Sequence, residues 1–92
     1  MAVTVKLMGG LHRFADSETI DIEGEGCTLG VAIDEIARRY PKLGAQLLND
    51  EGKLRYMTLL VLTGRSLTWP QDRKEPIADG GELLIMRFMA GG

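Results

Sequence analysis

Residues 3–8 alternate, with Val3, Val5 and Leu7 on one side and Thr4, Lys6 and Met8 on the other. A period of two with one apolar side predicts a half-buried strand, and Gly9-Gly10 closes it. Residues 18–23 alternate again, Ile20 and Ile22 against Asp21 and Glu23. The two segments are expected to pair as an antiparallel hairpin across a long connection. From Thr28 the period lengthens. Leu29, Ile33, Ile36, Ala37 and Tyr40 form one stripe at helical spacing, with Glu35, Arg38 and Arg39 off it. Thr28 is placed to cap the first turn, and Pro41 to stop the helix at Tyr40. Leu43, Leu47 and Leu48 predict a short second helical turn, and Asn49-Asp50-Glu51-Gly52 a reverse turn.

Residues 57–62 are a near-continuous apolar run, the pattern of a strand covered on both faces. Gly64-Arg65 leads into a short strand over residues 66–69. Asp79-Gly80-Gly81 is a strong turn signal, and residues 83–88 form the last strand. The predicted order is ββαβββ, an α+β arrangement in which a mixed sheet of about five strands carries one main helix on one face. Residues 1–88 would form one domain and residues 89–92 a tail. One helix covers only one face. Yet residues 83–88 put Leu83 and Ile85 on one side and Leu84, Met86 and Phe88 on the other, and 57–62 are apolar on both. The second face is therefore expected to expose Leu and Met, as protein-binding surfaces do, unless the second helical turn or another copy of the chain covers it.

Composition narrows the function. The chain has 92 residues, 11 Lys and Arg against 13 Asp and Glu, and a formal charge of −2. This mildly acidic balance argues against a nucleic-acid partner, which needs a basic stripe. No apolar run approaches the roughly 20 residues that cross a bilayer. The first ten residues hold a single Lys and no long apolar stretch, so no signal peptide, no membrane and a cytoplasmic location are expected. One cysteine excludes a disulfide framework and a multi-cysteine metal site, and no metal is expected.

Few residues offer chemistry. Gly24-Glu25-Gly26-Cys27-Thr28-Leu29-Gly30 follows a strand and opens a helix, but its G-x-G-x-x-x-G spacing is one residue longer than the dinucleotide fingerprint. A tight turn with close helix–strand packing explains it better. Cys27 at a helix start and His12 in the first loop are a weak candidate pair with nothing to orient them. The closing Gly91-Gly92 is more informative. Glycines carry no side chain and turn freely, so such a tail is slim enough to thread a narrow channel and deliver an α-carboxylate to a partner's active site. The plain alternative is a frayed end.

Taken together, these pieces resemble the ubiquitin-like β-grasp sulfur carriers, among them the small subunit of molybdopterin synthase and the sulfur carrier of thiamine synthesis. The resemblance rests on residues 3–8, Arg38-Arg39-Tyr40-Pro41, residues 47–55, Val61-Leu62-Thr63-Gly64-Arg65, Asp79-Gly80-Gly81-Glu82-Leu83 and Ala90-Gly91-Gly92. It implies that an E1-like adenylating enzyme, using ATP and Mg, converts the Gly92 carboxylate to an acyl-adenylate. A persulfide sulfur donor then yields a C-terminal thiocarboxylate, and a large molybdopterin synthase subunit or another sulfur-accepting synthase takes the sulfur. Gly91 and Gly92 would carry the activation. Met8, Leu59, Val61, Leu84, Met86 and Phe88 would meet the partners, with Leu60 and Leu62 buried, although the parity of 57–62 is open. The chain would bind no permanent cofactor and hold no active site of its own. Arg87-Phe88 stands where the molybdopterin subunit usually has Pro-Pro, closer to the thiamine carrier. The length and the stretch 41–56 are closer to the molybdopterin subunit. A role in molybdenum or tungsten cofactor synthesis therefore stands beside thiamine or another pathway. A ubiquitin-like protein modifier, a plain interaction module and a nucleotide-binding enzyme are further alternatives.

Overall fold

A computed structural model describes residues 2–88. Five strands form one mixed sheet in the order β2-β1-β5-β3-β4: β1 (Ala2–Met8), β2 (Thr19–Glu23), β3 (Thr58–Leu62), β4 (Arg65–Leu67) and β5 (Glu82–Arg87). A 3-10 turn, Leu11–Phe14, joins β1 to β2, and two helices, α1 (Leu29–Arg39) and α2 (Pro41–Leu47), join β2 to β3. β1 lies antiparallel to β2 and parallel to β5, while β3 lies antiparallel to both β5 and β4. The parallel contact between the first and last strands needs a crossover; α1 and α2 lie within it.

The inward side chains of β1 and β2 are those that the alternation marked: Val3, Val5, Leu7, Ile20 and Ile22 are all buried. The helices cover them from one side only. Leu29, Ala32, Ile33 and Ile36 of α1 and Leu43 and Leu47 of α2 complete the same core. Thr28 caps α1 as expected, its Oγ1 accepting from the Val31 N–H at 3.2 Å. Pro41 acts twice. It ends α1 at Arg39 and starts α2 at its first position, where a missing N–H is harmless. The second helical turn is thus a full helix, and it packs on α1. A Cβ on Gly44 would stand 2.8 Å from Ala37 Cβ, so only glycine permits this approach. α2 therefore lies on the covered side of the sheet and does not shield the other face.

Three other expectations change. Phe88 falls one residue past β5, and the short strand ends at Leu67 rather than Trp69. Trp69 leaves the strand and packs against the core with its indole N–H donating to Gly52 O at 3.0 Å. Met57 precedes β3 with a positive φ of 68°. The tail Met89-Ala90-Gly91-Gly92 lies outside the described residues.

Candidate functional site

The parity left open by residues 57–62 is resolved by strand register. Leu60 sits opposite Ile85 and Leu67, and all three are buried. Leu59 sits opposite Met86, and Val61 opposite Leu84 and Ser66. On β1, Met8 is level with Met86 and Lys6 with Leu84. The helix-free face thus carries two ladder rows, Met8–Met86–Leu59 and Lys6–Leu84–Val61–Ser66. Five of these side chains are apolar and span three strands, a strip about 10 Å wide at the usual strand spacing. Among the described residues no helix packs on this face. Leu59, Val61, Leu84 and Met86 are half-buried by one another, and Met8 is 47 % exposed.

Polar groups edge the strip. Lys6 Nζ lies 3.6 Å from Glu82 Oε2, and Thr4 Oγ1 donates to Asp21 at 3.4 Å. An apolar centre with a polar rim is the anatomy of a protein interface. Phe88 and Tyr56, 49 % and 87 % exposed, stand at the end of the sheet where β5 leads towards residues 89–92. Tyr56 was not singled out in the sequence; its loop position gives no periodic signal. Gly91 and Gly92 lie outside the described residues.

That same end is tied down by a network the sequence reading did not find. Helices end with four carbonyls that have no partner within the helix. In α2 all four are met. Gly44 O accepts from Leu48 N and Leu47 O from Arg55 N. Ala45 O accepts from Arg55 Nε at 2.6 Å, and Gln46 O from Arg87 Nη2. Arg87 Nη1 also donates to Gln46 Oε1 at 2.8 Å. Burial pulls the Arg87 guanidinium below its ordinary pKa, and the neighbouring Arg55 charge adds to this. A signal was present: Leu83, Ile85 and Arg87 share the inward side of β5, and an inward-facing Arg needs acceptors.

The competing sites fare differently. The first three backbone N–H groups of α1 are all occupied by protein acceptors: Leu29 N by Glu75 O at 2.9 Å, Gly30 N by Arg73 O at 2.8 Å, and Val31 N by Thr28 Oγ1. A phosphate at the start of α1 would find these three donors already taken. Cys27 is 3 % exposed, and burial pushes its thiol pKa up, the reverse of what a nucleophile needs. His12 follows β1 at one end of the sheet, whereas Cys27 follows β2 at the other, so the two do not meet. Among the described residues no group of three or more His, Cys, Asp or Glu could hold a metal, and no helix is long and apolar enough to cross a membrane.

No protein-family model matches the sequence, and no curated protein matches it. Solved structures do. The chain is similar to SAMP1 from Haloferax volcanii with a TM-score of 0.84 and 26 % identity, covering 100 % of both chains. It is similar to a chain of the BexX/CysO complex from Amycolatopsis orientalis, with a TM-score of 0.77, 25 % identity and coverage of 99 % and 100 %. It also matches a putative molybdopterin converting factor, subunit 1, from Pyrococcus furiosus, with a TM-score of 0.72, 20 % identity and coverage of 97 % and 99 %. The resemblance to the ubiquitin-like β-grasp sulfur carriers holds in three dimensions over essentially the whole chain.

Proposed function

We propose that this ubiquitin-like β-grasp chain is a sulfur carrier that is activated at Gly92 and read by partner enzymes through the helix-free face of its sheet. The observation that carries the reading is the placement of the apolar strip. It covers the central strands, and one of those strands, β5, runs directly into the segment that closes with Gly91-Gly92. A partner seated on Leu59, Val61, Leu84 and Met86 would have Phe88, the residue before that segment, at the edge of its footprint. Support also comes from the similarity to a putative molybdopterin converting factor subunit and to a chain of the BexX/CysO complex.

The chemistry follows from a weak electrophile. A carboxylate does not accept a sulfur nucleophile until one oxygen becomes a good leaving group. The E1-like enzyme, with Mg and ATP, joins the Gly92 carboxylate to AMP and releases pyrophosphate. The terminal sulfur of a protein persulfide attacks the acyl carbon and AMP leaves, giving an acyl disulfide. A second thiol attacks the donor cysteine's own sulfur in that link, forming a disulfide with it and releasing the thiocarboxylate. The thiocarboxylate then passes its sulfur to a bound acceptor on a synthase. Among such acceptors, a pterin precursor of the molybdenum or tungsten cofactor is our first reading, and thiamine or another pathway the second. The chain supplies the reacting atom and the docking face, and the partners supply the catalytic groups.

Deleting Gly92 tests this. The truncated chain should keep its melting temperature and lose all thiocarboxylate formation; normal activation of the truncated chain would refute the reading. A modifier role is favoured by one further observation, the 25 % identity to the small archaeal modifier protein 1 of H. volcanii. It predicts covalent adducts to lysines of other proteins, which blots of a tagged chain in its native cell would reveal.

A further inference from the structure

Arg87 is the last residue of β5 and is held on three sides. Its guanidinium is forked onto Gln46, with Nη1 on Oε1 at 2.8 Å and Nη2 on the backbone carbonyl. Its own carbonyl packs against Gly9, where a Cβ would fall far inside van der Waals contact with that oxygen. The next amide, Phe88 N, donates to Met57 O at 2.8 Å. Among the described residues no carboxylate lies within 4.0 Å of the Arg87 guanidinium. Its acceptors are neutral and belong to the carbonyl end of α2, where the peptide dipoles favour a cation. A planar fork on two acceptors fixes direction as well as distance, which a lysine would not do.

We propose that Arg87 is a positioning residue: locked to α2 through Gln46, it fixes the point and heading from which residues 89–92 leave the sheet. This rests on the carrier reading above and names how the chain presents its carboxylate. Four residues reach at most about 14 Å. With so short a reach, the entry of Gly92 into an enzyme's site depends on where the last fixed residue stands. If β5 frayed by one or two residues, their freedom would have to be removed again on each docking event. Pre-organisation removes that penalty in advance.

The test uses the full chain with its E1-like enzyme, Mg-ATP and pyrophosphate release as the readout. Arg87→Gln is expected to raise KM for the chain about tenfold, the entropy of ordering roughly one backbone residue, with kcat within about twofold. Gln46→Ala, which keeps the backbone acceptor, should raise KM by a smaller factor in the same direction. Inserting four glycines after Phe88 should raise KM by itself, and Arg87→Gln should then add nothing more. Equal effects of Arg87→Gln with and without the insert would mean that Arg87 touches the enzyme directly, and would overturn the proposal. Hydrogen exchange gives a readout that does not depend on activation. Arg87→Gln should speed exchange of the Phe88 amide at least about tenfold more than it speeds exchange of the β1–β2 amides, so that the local opening exceeds any loss of global stability read from the urea midpoint. Unchanged exchange at Phe88 would overturn the proposal even if the wild-type chain were never activated, whereas failure of the wild type to be activated, with exchange accelerated, would overturn only the carrier reading.

Discussion

Leu59 and Leu60 are neighbours in sequence, identical in chemistry and opposite in consequence. Leu60 is 0 % exposed and faces Ile85 and Leu67 across the ladders, inside the core. Leu60→Ala removes the transfer free energy of its lost carbons and leaves a void between strands that cannot close around it. Together these amount to about 3–4 kcal/mol. For a domain of this size each kcal/mol lowers Tm by about 4–8 °C, so a fall of roughly 12 °C or more is expected. Leu59 is half-buried on the open face beside Met86, where truncation creates no closed cavity. Leu59→Ala should therefore lose about 1 kcal/mol or less. Urea denaturation with unchanged m values would measure both. Binding to the activating enzyme should rank them in reverse, with Leu59→Ala weakening it and Leu60→Ala leaving it intact at temperatures where the chain is folded. Equal stability losses would refute the register on which the docking face depends.

Other consequences follow from single positions. Thr58 Oγ1 is buried without a hydrogen-bond partner among the described residues; Thr58→Val should stabilise by up to about 1 kcal/mol, and a clear loss in a thermal melt would mean that the hydroxyl is bonded. Gly44→Ala gains about 1 kcal/mol of helix propensity but drives a methyl to 2.8 Å from Ala37 Cβ. The clash should win by about 1 kcal/mol, and Ala37→Gly in the same chain should recover part of it. Cys27 has a thiol pKa raised by burial. Its contribution is complete below the unfolded thiol's pKa of about 8.5 and fades as pH rises through the folded value, because the unfolded chain loses that proton first. The wild type should thus lose more stability than Cys27→Ala between pH 8 and pH 10, and equal slopes in urea titrations would contradict the burial.

Clean periodicity made β1, β2 and α1 legible in the sequence, down to the Thr28 cap. The apolar run 57–62 was legible as a strand but not as two faces, because Leu59, Leu60, Val61 and Leu62 are chemically alike. The missing information was non-local. Ser66 and Leu67 on β4 alternate, and their register against Val61 and Leu60 decides which side of β3 faces out. Pro41 reads from the sequence as the stop after Tyr40, yet proline is equally a helix start, and α2 is a full helix where three leucines announce only a turn. The Gly24–Gly30 turn looked like a phosphate cradle locally, but carbonyls of Arg73 and Glu75, more than 40 residues on, occupy its donors. Arg87 was the reverse case: its inward parity announced a need for acceptors, but only the fold shows that Gln46 meets it.

The intact mass of the full chain tests the central claim most directly. After incubation with an E1-like enzyme, Mg-ATP and a persulfide donor, it should rise by the difference between sulfur and oxygen, with the gain located in the peptide that ends at Gly92. An unchanged mass, with an enzyme competent on its own carrier from the same organism, would contradict the sulfur-carrier account and leave the apolar strip as the surface of an interaction module.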